Sequence, residues 1–182
     1  MQCSAALRLP FVWLKEIMKQ AVTRRLNRAV STYDIKVPNS MERLYKHIRK
    51  GDVVLIEGML GISQLIKYTT QSQWSHCALY VGDALLRRGG TVREQAVSQF
   101  GQLADRLLIE ALTDHGVVAS PLAKYRWHNL RICKPFKLDP ADLDRVIDAV
   151  LADLGKAYDH RNFLDLTLML LSPVEFGFLK RR

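Results

Sequence analysis

The histidine and the carboxylate best placed to do chemistry each lie within an apolar segment. His76 begins a segment in which alternate side chains point to opposite faces of a predicted strand, so that His76, Ala78 and Tyr80 share one face. Glu110 interrupts the apolar run 107–112, and a half-buried carboxylate is costly without a partner. A histidine on a neighbouring strand is a natural partner, because the carboxylate fixes the imidazole tautomer. Such a pair is either a structural hydrogen bond or the base half of an active site.

Cysteine is the other candidate nucleophile, and the chain contains Cys3, Cys77 and Cys133. No two of them have C-x-x-C spacing, so we expect neither a disulfide framework nor a structural zinc site. Cys77 is expected on the inward, apolar face of its strand, away from the imidazole of His76. Cys133 is expected to be a small buried residue. Without a ligand-spacing motif, a phosphate-binding glycine loop or a G-x-S-x-G elbow, we expect no metal and no cofactor.

The segments that would position these residues are short strands with helices before and after them. Apolar and β-branched runs bounded by glycine predict five strands, at 52–56, 75–81, 107–112, 116–120 and 130–133. Capping residues and helical spacing predict helices that start after Ser40, span 62–69, and run from Asp139 to Gly155. Segment 90–106 is expected to be a polar insertion, and 121–128 a short helix or a loop. The pattern predicts an α+β domain with a small antiparallel sheet of about five strands and flanking helices.

Positive charge is concentrated at the start of the chain. Residues 1–50 contain 11 Lys and Arg against three acids, a balance of +8, whereas residues 51–182 contain 16 against 15. We therefore divide the chain into a basic helical arm with its connector, 1–39, and a domain, 40–182. The predicted arm helix, 11–30, either docks on its own domain or lies on an anionic membrane as a peripheral contact. Without a recognised nucleic-acid motif, we expect no nucleic-acid partner.

Hydropathy bears on the expected location of the protein. The longest apolar stretch, 163–171, is interrupted by Asp165 and is shorter than the roughly 20 residues of a spanning helix. Cys3 is not preceded by an apolar segment of the kind that secretory signals contain. These features predict a cytoplasmic protein, peripheral at a membrane if residues 11–30 bind one.

Several motifs together resemble one protein family, over roughly residues 45 to 182. The motifs are Gly51-Asp52-Val53-Val54-Leu55, Trp74-Ser75-His76-Cys77-Ala78-Leu79-Tyr80-Val81-Gly82, Ile109-Glu110-Ala111 with Gly116-Val117-Val118, Tyr125-Arg126 with Arg131-Ile132-Cys133-Lys134-Pro135, and Tyr158-Asp159 with Asn162-Phe163. They resemble the circularly permuted branch of the NlpC-like papain fold, the YiiX/YebB-like or "lipo-like" cysteine hydrolases. The resemblance implies a permuted papain-like fold. It also implies a thiol hydrolase or acyltransferase acting on amide or ester bonds of small lipid-like, peptide or cell-envelope-derived substrates.

The resemblance also implies roles for individual residues. His76 matches the general base, Glu110 the residue that orients it, and Tyr80 a residue that lines the pocket. The family's nucleophilic cysteine comes last, at the start of a helix that lowers its pKa, and this sequence has no cysteine after Cys133. Either the nucleophile helix is missing from this sequence or this member has lost its nucleophile. We expect the first, and we expect the chain to be inactive as it stands. The alternative is a non-catalytic protein that binds lipid or a membrane surface.

Overall fold

A five-stranded antiparallel sheet forms the centre of residues 37–157, the part of the chain that the computed structural model describes. Its strands are β1 (Val53–Ile56), β2 (His76–Gly82), β3 (Leu107–Leu112), β4 (Gly116–Pro121) and β5 (Leu130–Cys133). They lie in the order β4-β3-β2-β1-β5, with antiparallel pairing throughout. The prediction of an α+β domain with a small antiparallel sheet is confirmed. The predicted arm helix at 11–30 and residues 158–182 lie outside the described residues.

Helices flank the sheet on both of its faces. They are α1 (Met41–His47), α2 (Gly61–Thr70), α3 (Ala84–Arg87), α4 (Gly90–Phe100) and α5 (Pro140–Ala152), with 3-10 turns at Gly101–Leu103 and Leu122–Tyr125. As predicted, Ser40 and Asp139 cap α1 and α5 by accepting hydrogen bonds from backbone N–H groups. Helix α4 occupies the segment expected to be a polar insertion, because Ala96 is its single buried residue and leaves little apolar periodicity to recognise. Within residues 37–157, no helix combines the length and hydropathy that crossing a bilayer requires.

Two hydrophobic cores form, one on each face of the sheet. Side chains from α3, α4 and α5 pack with Val81, Leu107 and Ile109 on one face. On the other face, Tyr80 and Leu108 pack with Ile48, which follows α1, and with the 3-10 turn at Leu122–Tyr125. The alternation of β2 predicts that only the face of Cys77 and Val81 lies inside. That prediction was incomplete, because Ala78 and Tyr80 on the other face are buried in a second core.

The chain after α5 returns to the free edge of β4. Gly155 N–H donates to the carbonyl of Val117, and Val117 N–H donates to the carbonyl of Lys156, both at 2.9 Å. Gly116 lies under this segment with φ +70°, and a Cβ there would be 2.1 Å from the carbonyl oxygen of Lys156. The position therefore requires glycine for its backbone conformation and for the close approach.

Candidate active site

His76 and Glu110 meet on one face of the sheet. Tyr80 on β2 pairs with Leu108 on β3, so these two side chains share a face. Alternation along each strand places His76 on the face of Tyr80, and Glu110 on the face of Leu108. His76 Nε2 lies 2.7 Å from Glu110 Oε2. The predicted meeting of these two side chains is confirmed.

Glu110 is a fully buried carboxylate with several hydrogen-bond donors around it. Lys124 Nζ donates to Oε1 at 2.7 Å, and the hydroxyl of Tyr125 donates to Oε2, the oxygen that also faces His76. Burial alone raises the pKa of Glu110, but hydrogen bonds from His76, Lys124, Ser120 and Tyr125 outweigh it and lower the pKa to about 2. Glu110 is therefore ionised at neutral pH.

The charge of Glu110 determines the tautomer of His76. An ionised carboxylate only accepts hydrogen bonds, so Nε2 of His76 is the donor in this contact. In the neutral ring, Nδ1 then carries the lone pair and is the atom that can accept a proton. This is the arrangement of a general base held by an orienting carboxylate.

The 3-10 turn at Leu122–Tyr125 contributes two site residues that the sequence analysis did not identify as such. Tyr125 is buried, and burial together with its hydrogen bond to Glu110 and the charge of Glu110 raises its pKa, so its hydroxyl remains a donor. Lys124 places its ammonium on the other carboxylate oxygen. A buried carboxylate at Glu110 predicts that hydrogen-bond donors surround it. The fold decides which residues these are, and it brings in Lys124 and Tyr125, which follow Glu110 by 14 and 15 residues.

A cavity of about 340 Å³ opens beside His76. It is bounded by α2, the loop before that helix, the start of β2, the end of β3 and the turn that carries Lys124. Aliphatic side chains form much of its wall: Ile56, Met59, Leu60, Ile62, Ile66 and Leu112. His76, Lys124, Tyr125 and His128 form a polar group on the same wall. The cavity thus combines an apolar interior with an imidazole–carboxylate pair.

Glu57 connects the elements on either side of this cavity. Its carboxylate accepts hydrogen bonds from Lys67 Nζ on α2 and from Asn129 Nδ2 before β5, each at 2.8 Å. Burial raises the pKa of Glu57, but the hydrogen bonds from Lys67 and Asn129 and the charge of Lys67 lower it overall. The contacts tie α2, which forms one side of the cavity, to the sheet.

Tyr80, the predicted pocket residue, does not line the cavity beside His76. It lies on the same face of β2, but four residues along an antiparallel strand is about 13 Å. There its buried ring packs in the core with Leu108 and Ile48. Tyr125 is the tyrosine that lines the cavity.

Neither described cysteine reaches the imidazole of His76. Cys77 lies on the opposite face of β2, as predicted, but it is exposed rather than buried, because the core on that face includes Val81 and stops short of the start of the strand. Cys133 is half-buried on the edge strand β5. It pairs with Val53, whereas His76 pairs with Ile56 at the other end of β1. A thiol for this site would have to come from elsewhere.

Comparison with protein-family models and with curated proteins finds no match for this chain. Among residues 37–157, no group of three or more His, Cys, Asp and Glu side chains could hold a metal ion. The site itself contains an ionised buried carboxylate, an imidazole whose Nδ1 can accept a proton, and an apolar cavity.

Proposed function

We propose that this domain carries the general base of a thiol hydrolase or acyltransferase that acts on amide or ester bonds of lipid- or cell-envelope-derived substrates. The observation that carries the proposal is the 2.7 Å contact between His76 and Glu110 beside an apolar cavity. The proposal includes the permuted papain-like (NlpC-like) arrangement. In support of it, the histidine strand β2 precedes the acidic strand β3 in the chain and lies next to it.

The proposed reaction is acyl transfer through a thioester. Nδ1 of His76 takes the proton of a thiol, and the sulfur attacks the carbonyl carbon of the substrate. Glu110 stabilises the imidazolium and keeps the ring in place. When the carbon–heteroatom bond breaks, the imidazolium gives its proton to the leaving amine or alcohol. Water or a second acceptor then releases the acyl group.

The cavity favours an acyl group as the part of the substrate that is bound. Its volume of about 340 Å³ lies near the lower end of the range for small-molecule sites, about 300–1,000 Å³. An aliphatic chain would contact Met59, Ile62 and Ile66, with its carbonyl towards the polar wall. Burial of the aliphatic part of the substrate provides binding free energy at roughly 25 cal/mol per Å² of apolar surface.

The test supplies the thiol from solution. The full chain is mixed with p-nitrophenyl octanoate and cysteamine, and release of p-nitrophenol is measured for the wild type, for His76→Ala and for His47→Ala. His47 is an exposed histidine on α1 and serves as the matched control. We expect His76→Ala to reduce the protein-dependent rate by about 10²-fold. Equal rates in the wild type and in His76→Ala would refute the proposal.

A binding protein without catalysis is the second candidate, and it is favoured by the apolar cavity together with the lack of a described cysteine within reach of His76. In that case the wild type binds a fluorescent octanoyl probe but does not accelerate thiolysis. His76→Ala then binds the probe as tightly as the wild type does. Probe binding combined with a His76-dependent rate would exclude this candidate.

A further inference from the structure

His128 is a second imidazole on the wall of the cavity, and the reaction described above does not use it. Its ring contacts the ring of Tyr125 edge-on, with centroids 5.2 Å apart, and the ring of Tyr125 lies 6.2 Å from that of His76. The two histidines therefore flank Tyr125 and border the same cavity.

The two nitrogens of His128 lie in different surroundings. Nδ1 is buried and has no hydrogen-bond partner. Nε2 is not among the buried unpartnered atoms of the described residues, and we assign it as the nitrogen that faces the cavity that His128 lines. A buried N–H without an acceptor is rarer than an unsatisfied acceptor, so the favoured neutral tautomer carries its proton on Nε2.

The ring of His128 is held in its neutral form by its surroundings. Burial lowers the pKa of His128, the nearby charge of Lys124 lowers it further, and the charge that His76 carries when protonated acts in the same direction. A protonated ring would also place an N–H at the buried Nδ1, where no acceptor is available. His128 is therefore a neutral donor at neutral pH, and a neutral imidazole can polarise a carbonyl group.

Two other polar side chains on this wall are already engaged. The hydroxyl proton of Tyr125 is directed at Glu110, and Lys124 holds the second oxygen of the same carboxylate. The single proton of the Tyr125 hydroxyl is thereby used, and the ammonium of Lys124 is held on the carboxylate of Glu110. His128 is a neighbouring side chain on this wall whose donor is not directed at Glu110.

We propose that Nε2–H of His128 donates a hydrogen bond to the carbonyl oxygen of the bound acyl group and stabilises the oxyanion formed when the thiol attacks. This inference rests on the proposed function. As the sulfur–carbon bond forms, the carbonyl π electrons move onto the oxygen, and the hydrogen bond to His128 strengthens without proton transfer. When the carbonyl re-forms, the leaving group departs with the proton held by His76.

The first test measures binding and needs no turnover. Octanamide, an unreactive carbonyl ligand, is titrated into the ¹⁵N-labelled wild-type chain while the histidine ring nitrogens and the methyl group of Met59 are followed by NMR. We expect free His128 to show the Nε2–H tautomer and its Nε2 resonance to shift as octanamide binds. A shift at Met59 without one at His128, or no shift at either up to the solubility limit of octanamide, would overturn the inference.

The second test uses the thiolysis assay with His128→Leu and His128→Gln. Leu removes the donor, and the amide of Gln can place an N–H near the position of Nε2. We expect Leu to lower kcat by about 10²-fold with KM nearly unchanged, and Gln to recover at least about tenfold of that loss. Equal kcat in all three proteins would refute a role for His128. If His128→Leu does not fold, the role of His128 is tested by the kcat of His128→Gln and by the octanamide titration of the wild type.

The two proposals fail in different ways. If the thiolysis rate does not depend on His76, the proposed function is refuted, whether or not octanamide shifts the resonance of His128. If the thiolysis rate depends on His76 but octanamide does not shift the resonance of His128, only the further inference is refuted.

Discussion

Replacing Glu110 with Gln should remove much of the acid sensitivity of folding. The side chain of Glu110 is 0% exposed, so solvent does not screen its contacts with His76 and Lys124. Its pKa of about 2 lies below the ordinary value of 4.5. That difference corresponds to roughly 3 kcal/mol of folding free energy, at about 1.4 kcal/mol for each unit of pKa.

The sign of the effect follows from the direction of the pKa change. Because the pKa is lower in the folded state than in the unfolded state, the ionised carboxylate stabilises folding fully above the unfolded value of about 4.5. The contribution is lost as pH falls through 4.5 towards 2. Roughly 2 kcal/mol of it should be gone by pH 3. The amide in Glu110→Gln does not titrate, so the folding free energy of the variant lacks this pH-dependent contribution.

The assay is urea unfolding followed by tryptophan fluorescence at pH 6, 4 and 3. Glu42→Gln is the matched control, because Glu42 lies on α1 with its side chain 79% exposed. At pH 6, we expect Glu110→Gln to be less stable than the wild type by about 3 kcal/mol, and Glu42→Gln to differ by less than about 0.5 kcal/mol. From pH 6 to pH 3, the wild type should lose roughly 2 kcal/mol more than Glu110→Gln does. Parallel pH curves for these two proteins would refute the reasoning.

Three further predictions concern the fold and the basic arm. Gly116→Ala should lower Tm more than Gly89→Ala, because both glycines have positive φ but only at Gly116 would a Cβ meet backbone, at Lys156. Asp139→Ala should destabilise the protein by about 1 kcal/mol in urea unfolding through loss of the α5 cap, and Asp139→Asn by much less. The full chain should sediment with phosphatidylserine vesicles at low ionic strength and be released at 1 M salt, where charges are screened within about 3 Å; salt-insensitive binding, or none, would contradict a membrane role for residues 11–30.

Local chemistry made several elements predictable from the sequence. Strands β3 and β5 have the predicted bounds, because the apolar run in each is followed directly by polar residues or proline. The caps at Ser40 and Asp139 were equally readable, since a cap depends on residues within one helical turn. The contact between His76 and Glu110 was predictable for a different reason. A carboxylate in an apolar strand requires a partner, and a neighbouring strand offered an imidazole.

Other features of the site became apparent only when the chain was folded. Lys124, Tyr125 and His128 reach the cavity because the turn after β4 returns across the face of the sheet that carries Glu110. Spacing along the chain contains no sign of that return.

The burial of β2 also required the tertiary structure. Alternation separates its side chains into two sets, but which set is covered depends on what packs against each face. Helices cover Val81 on one side and a core surrounds Tyr80 on the other, while Cys77 remains exposed. Periodicity thus predicted most of the elements, though not α4, and the two faces of β2, whereas the contents of the site depended on packing between elements far apart in the chain.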